Sequence, residues 1–152
     1  MKKILVFMMP IMMFSPNDVY GQGKLENLDG YKKLRNELLA YNHSDTLTNW
    51  DILILSIAGA ESNYYKTTNE NYHGYLQISR VYVKEVNQRC NRRFTYADAR
   101  DWKKSIEIFN LMNEYHNPKR NHAKAIRLHN RGSKYYNKVM RYYNKIKKYE
   151  GK

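Results

Sequence analysis

The sequence predicts one mainly α-helical domain, and three observations carry that reading. Apolar residues recur at three- and four-residue spacing along most of the chain, and turn signals separate these stretches at short intervals. No repeat, low-complexity block or Pro/Gly-rich linker divides residues 24–152. The length of 152 residues with 42% apolar content suits a single sizeable core, and the 14% aromatic content separates the chain from disordered sequences, which lack large groups to bury.

At the N-terminus, Lys2 and Lys3 precede an uncharged run from Ile4 to Phe14, followed by a polar stretch and the small residues Gly21 and Gly23. This order matches a secretory leader, so residues 1–21 are assigned to a signal peptide cleaved after Gly21, and 22–152 to the domain. The run is shorter than the roughly 20 apolar residues of a spanning helix and contains Pro10, which leaves an uncleaved interfacial anchor as the alternative. Export to the periplasm or the extracellular space is expected.

Leu28, Tyr31, Leu34, Leu38 and Leu39 form the first amphipathic stripe; Trp102, Ile106, Phe109 and Met112 form another, and Tyr136, Val139, Met140, Tyr143 and Ile146 a third. Thr48 with Asp51 and Thr95 with Asp98 stand at capping-box spacing and each opens a helical segment. Shorter helices are expected at about 79–90 and 120–130. After Thr48, the residues from Trp50 to Ala60 place apolar groups around the whole helical circumference, as in a helix enclosed by the core. A buried strand would explain the same apolar run; length, cap and the Ala58-Gly59-Ala60 patch favour the helix.

Glu61 follows directly. A carboxylate at the end of an apolar helix is costly to ionise, which suits a group that must hold a proton, so Glu61 is a candidate general acid. The alternative reading is a solvated helix-terminal residue.

Ala60-Glu61-Ser62, then Gly74-Tyr75-Leu76-Gln77-Ile78, then Leu128-His129-Asn130-Arg131-Gly132 occur in the order of three short motifs. In this the chain resembles the lytic transglycosylases of the lysozyme-like superfamily, over about residues 48–145. The resemblance implies a lysozyme-like single domain of about six helices, with an extended loop or small hairpin between Glu61 and Gln77. It implies Glu61 as the single catalytic acid/base, with Ser62 beside it. Gly74, Tyr75 and Gln77 would shape or line the sugar cleft, with His129 and Asn130 near the scissile bond. The implied substrate is the peptidoglycan glycan strand, cut between N-acetylmuramic acid and N-acetylglucosamine to leave a 1,6-anhydromuramic end. Two departures stand out: His129 replaces the family's usual Tyr, and no proline closely follows Gln77. A histidine titrates near neutral pH, which ties the expected activity profile to this position.

Most glycosidases use two carboxylates. Glu70, in the polar loop Lys66–Asn71, is therefore a possible second carboxylate, which would make the protein a lysozyme-type muramidase; a solvated loop residue is the plainer reading. No cofactor and no metal are expected. His116, His122 and His129 lack zinc-binding spacing, and the single cysteine, Cys90, excludes an intramolecular disulfide or a thiolate cluster. Gly-rich phosphate loops, HExxH and GxSxG are absent. Trp50 and Trp102 lie on apolar helix faces and read as core.

The formal charge is +13, and residues 119–152 hold 12 basic side chains against one acidic, Glu150. In an exported monomer this basic C-terminus would reach anionic envelope polymers. With Tyr135, Tyr136, Tyr142 and Tyr143 interleaved, it also supports a rival class: a non-catalytic wall- or nucleic-acid-binding module. The leader argues against nucleic acid.

Overall fold

The computed structural model describes residues 25–152; the expected leader lies outside the described residues. Among the described residues the chain is mainly helical, with six α-helices, a 3-10 turn and one two-stranded hairpin.

Helix α1 (Leu28–Asn42) is capped by the Asn27 side chain and turns Tyr31, Leu34 and Leu38 inward. Helix α2 (Asn49–Ser62) starts at the expected capping box. The Asp51 carboxylate is buried but fully engaged: it accepts the Thr48 amide at 2.7 Å, the Thr48 hydroxyl at 2.6 Å and Asn42 Nδ2 at 2.8 Å. Every residue from Trp50 to Ala60 is buried. Helices α1, α5 (His122–His129) and α6 (Ser133–Tyr149) pack around α2, so its apolar circumference meets protein on several sides. Each large aliphatic side chain so enclosed contributes about 1.5–3 kcal/mol.

The chain then passes through a loop to β1 (Tyr72–His73) and β2 (Ile78–Ser79), paired antiparallel with Tyr72 opposite Ser79 and His73 opposite Ile78. A hairpin is present as expected, but its second strand follows Gln77, so Gly74–Gln77 is the connecting turn. Helix α3 (Arg80–Cys90) begins at once, with Ser79 as its cap. The Thr95–Asp98 box opens the 3-10 turn Tyr96–Arg100, not the following helix as expected. Extended backbone at Asp101 breaks the chain there, and the Asp101 side chain caps α4 (Trp102–His116) through the Lys104 amide. Trp50 and Trp102 are both buried; their ring N–H groups donate to Asn110 Oδ1 at 2.9 Å and to the Leu34 carbonyl at 3.2 Å.

Two contacts fix how α6 closes over this core. Gly59 of α2 faces α6 so closely that a Cβ there would lie 2.6 Å from the Tyr64 hydroxyl and collide with the Tyr142 ring. Near the chain end, Arg35 Nε and Nη2 grip the two oxygens of Glu150 at 2.7 and 2.9 Å, and the Tyr31 hydroxyl donates to the same carboxylate at 2.6 Å. The Arg35 hydrogen bond, reinforced by Tyr31 and opposed by partial burial, holds Glu150 below the usual carboxylate range.

Gly59→Ala would ordinarily gain about 1 kcal/mol of helix propensity. Here overpacking outweighs that gain, and a net loss of about 1–3 kcal/mol is expected in denaturant unfolding. A raised midpoint would show that α6 does not need the close approach. Glu150→Gln is expected to cost about 2 kcal/mol at pH 7. Because the folded-state pKa is depressed, this contribution is present above the unfolded value near about 4.3 and disappears as pH falls through the folded value. Thermal melts of both proteins from pH 7 to pH 2 should therefore converge on the acid side; a gap constant with pH would refute the charge-based account.

Candidate functional site

Glu61 sits in the last turn of α2, where the helix leaves the core, and its side chain is 19% exposed. The helix stops there because Asn63 and Tyr64 both adopt left-handed backbone, with φ of 48° and 63°. Such a conformation in a bulky residue costs about 1–3 kcal/mol and needs support from its surroundings. Tyr64 has it: its ring is buried, edge-packed 5.6 Å from Tyr31 and 5.9 Å from Tyr142. The Asn63 carbonyl accepts Asn27 Nδ2 at 2.9 Å. Glu61 thus projects from a braced reversal into an open cleft of about 560 Å³.

Behind Glu61 lies a set of polar rings. His129 ends α5 with its side chain only 3% exposed; its Nε2 is 2.7 Å from the Leu76 carbonyl and 3.5 Å from Glu61 Oε1. A carbonyl only accepts, so Nε2 carries a proton and donates it to the Leu76 carbonyl; the Glu61 carboxylate lies beside the same nitrogen without a hydrogen bond to it. The Tyr135 ring stacks 6.3 Å from His129, and the Tyr82 ring meets it edge-on at 5.8 Å. Among the described residues, five buried side-chain polar atoms lack a hydrogen-bond partner, and three of them are here: His129 Nδ1, Tyr82 Oη and Tyr135 Oη. Such atoms cost about 1–3 kcal/mol each, and their grouping around His129, next to Glu61, makes this region the candidate site. Burial first, and the adjacent Glu61 charge second, raise the Tyr135 pKa far above the ordinary phenol range. Tyr135 therefore keeps its proton, and its hydroxyl lies near the Glu61 carboxylate without a hydrogen bond to it.

The remaining expected residues take distinct places. The Ser62 hydroxyl lies 2.9 Å from both the Ala58 and Tyr75 carbonyls, tying the end of α2 to the hairpin turn. Gln77, itself left-handed at φ 48°, donates from Nε2 to the Gly74 carbonyl at 2.7 Å and the Thr67 carbonyl at 2.9 Å, and so holds the loop whose Thr67 lines the cleft. Gly74 has φ of 75°, and a Cβ there would strike the Ala99 carbonyl oxygen. Only glycine fits that approach. Tyr75 is buried edge-on against Trp102 at 5.6 Å, a packing role rather than a cleft-lining one. Asn130 is exposed, and its Oδ1 accepts the Gly132 amide at 3.0 Å, shaping the turn into α6. Glu70 lies in a separate hollow with His73, Arg80 and Arg100. Glu26, at the start of the described chain, is the second carboxylate in the Glu61 cleft.

Sequence reasoning does not place Tyr135, Tyr82 or Glu26 near Glu61, and it reads Tyr135 only as part of a possible stacking surface. Tyr135 shares a helical stripe with Val139, Tyr142 and Ile146, and that spacing was a usable signal; Glu26 precedes the first helix and carried none. Among the described residues no group of His, Cys, Asp and Glu has the arrangement of a metal site.

Tyr135→Phe is expected to leave the unfolding midpoint unchanged or slightly raised, since the hydroxyl has no partner to lose, and, should Glu61 act as an acid or base, to lower that rate by about tenfold, the worth of one hydrogen bond. Parallel melting and rate measurements test this; a matched loss of stability would make Tyr135 merely structural. Compared with protein-family models, curated proteins and solved structures, the chain matches none.

Proposed function

We propose that this protein is a peptidoglycan lytic transglycosylase on a lysozyme-like domain, with Glu61 as its acid/base. The observation that carries the reading is the half-buried Glu61 at the end of a fully enclosed helix, facing an open cleft, with His129 Nε2 3.5 Å away and the Tyr135 hydroxyl nearby. In the proposed cycle Glu61 gives its proton to the glycosidic oxygen between N-acetylmuramic acid and N-acetylglucosamine. The resulting carboxylate takes the proton of the muramic C6 hydroxyl, whose oxygen closes on C1 to form the 1,6-anhydro end. The proton count balances without water. His129 and Tyr135 would hold the carboxylate in place and stabilise it between the two transfers.

Glu26 favours a second reading. As another carboxylate in the same cleft, it would activate water in a muramidase, a role for which Glu70 is poorly placed. The basic C-terminus as a nucleic-acid module is less well supported, because the tyrosines that suggested base stacking are partly buried and three have an aromatic neighbour within the fold: Tyr142 beside Tyr64, Tyr143 beside His122 at 5.5 Å, and Tyr135 beside His129. Export remains part of the proposal.

Digestion of purified sacculi followed by mass analysis tests both enzymatic readings. Anhydro-muropeptides, one water lighter than reducing-end products, are expected from the parent protein and from Glu26→Gln and Glu70→Gln. Glu61→Gln should lose at least about a hundredfold in rate while keeping its melting temperature. Reducing-end products abolished by Glu26→Gln would establish the muramidase; full activity of Glu61→Gln would overturn the assignment.

A further inference from the structure

The Glu61 cleft has a basic wall. Lys138, Arg141 and Lys145 of α6 line it together with Glu61, Ser62 and Thr67. Their spacing places the three on one helix face, spanning about 10 Å along the axis. One residue, hence about 100° of rotation, separates this stripe from the core positions Val139 and Ile146. The rotation is pinned by the Tyr142 ring against Gly59 and by the Tyr142 hydroxyl 3.4 Å from Asn63 Oδ1. Among the described residues none of the three cations makes an ion pair, although Arg35, Arg89 and Lys104 all do. Other basic residues of α6 stand apart: Lys147 donates to Asn49 Oδ1 at 3.3 Å, and Lys134 and Lys148 are exposed outside the cleft.

We propose that Lys138, Arg141 and Lys145 read carboxylates carried by the glycan, so that the cleft engages acidic strands in preference to neutral amino-sugar polymers. This rests on the Glu61 reading and deepens it. A nucleic-acid ligand fits the wall less well, because among the described residues Tyr142 is the one aromatic residue lining the cleft, and its ring is packed edge-on against Tyr64. Arg141 offers a planar fork to a carboxylate, with the two lysines as point charges on either side. Glu26 lies at the same cleft and would repel an acid placed beside it, which directs the carboxylate towards the α6 wall. The carboxylate has two sources on such strands: the peptide stems, or the lactyl group exposed when stems are removed.

The test measures binding by full-length Glu61→Gln, which does not turn over its ligand. Four ligands are compared: peptide-bearing strands, the same strands with peptide carboxylates amidated, amidase-stripped strands, and a neutral N-acetylglucosamine hexamer. Each is titrated against Glu61→Gln alone, against that protein with Lys138→Gln, Arg141→Gln and Lys145→Gln, and against that protein with Lys134→Gln, Lys147→Gln and Lys148→Gln. The cleft triple is expected to lose about tenfold in affinity for acidic strands, with a flatter salt dependence and unchanged hexamer binding. The other triple should change little. Loss on amidation assigns the contact to the stems, and retained affinity for stripped strands assigns it to the lactyl group; either outcome upholds the wall. Melting curves check both triples, and Arg141→Gln alone repeats the measurement should Lys145, half-buried, disturb packing. Equal losses in the two triples, or acidic strands bound no tighter than the hexamer, overturn the inference. So does tighter, salt-steep binding to single-stranded nucleic acid. If the parent cuts strands and the cleft triple changes nothing, only the wall fails; if the parent neither cuts nor binds any glycan, the Glu61 reading fails first.

Discussion

The enclosure of α2 is the constraint on which the rest of this structure depends. A helix apolar around its whole circumference cannot leave a face in water, so α1, α5 and α6 are drawn around it. The closest of these approaches depends on the missing side chain of Gly59, which lets the Tyr142 ring sit against the α2 backbone. With α6 seated there, its C-terminal end comes within reach of α1, where Arg35 and Tyr31 bind Glu150. A hydrophobic demand made by one segment thus sets the position of residues more than a hundred positions apart in sequence.

The same enclosure creates the site. An apolar helix buried along its length delivers whatever follows it to the boundary of the core, and here that residue is Glu61. The chain must then reverse sharply, which it does through two left-handed residues braced by the burial of Tyr64. Around the carboxylate the fold tolerates three buried polar atoms without partners, an arrangement unfavourable for stability. Concentrated unfavourable chemistry of this kind beside a partly exposed acid is the pattern expected of a reactive site, and it is the reason Glu61 is proposed as the acid/base.

Charge is divided by the structure in a way composition conceals. The C-terminal segment carries its basic excess as one block in sequence, but helix geometry sends successive residues to different surroundings. Lys138, Arg141 and Lys145 enter the Glu61 cleft, whereas Lys134 and Lys148 face solvent elsewhere. The intervening tyrosines, which in sequence resemble a stacking surface, are mostly consumed by packing between α2, α5 and α6.

Periodicity and caps by themselves determined the helices of this protein, because apolar spacing and the Thr48–Asp51 box are local signals that need no distant partner. They also made Glu61 conspicuous, since a charged residue ending an enclosed helix is visible in one dimension. Local signals failed where two competed: Thr95–Asp98 and Asp101 both offer a cap, and only the extended backbone at Asp101 decides which one starts α4. Tertiary structure alone decided what surrounds Glu61. It brought His129 and Tyr135 to the carboxylate from two other helices, placed Glu26 in its cleft and Glu70 outside it, and assigned Tyr75 to the core. Those outcomes depend on the rotation and approach of whole helices around α2. The sum of many side-chain contacts sets that rotation, and no single stretch of sequence encodes it.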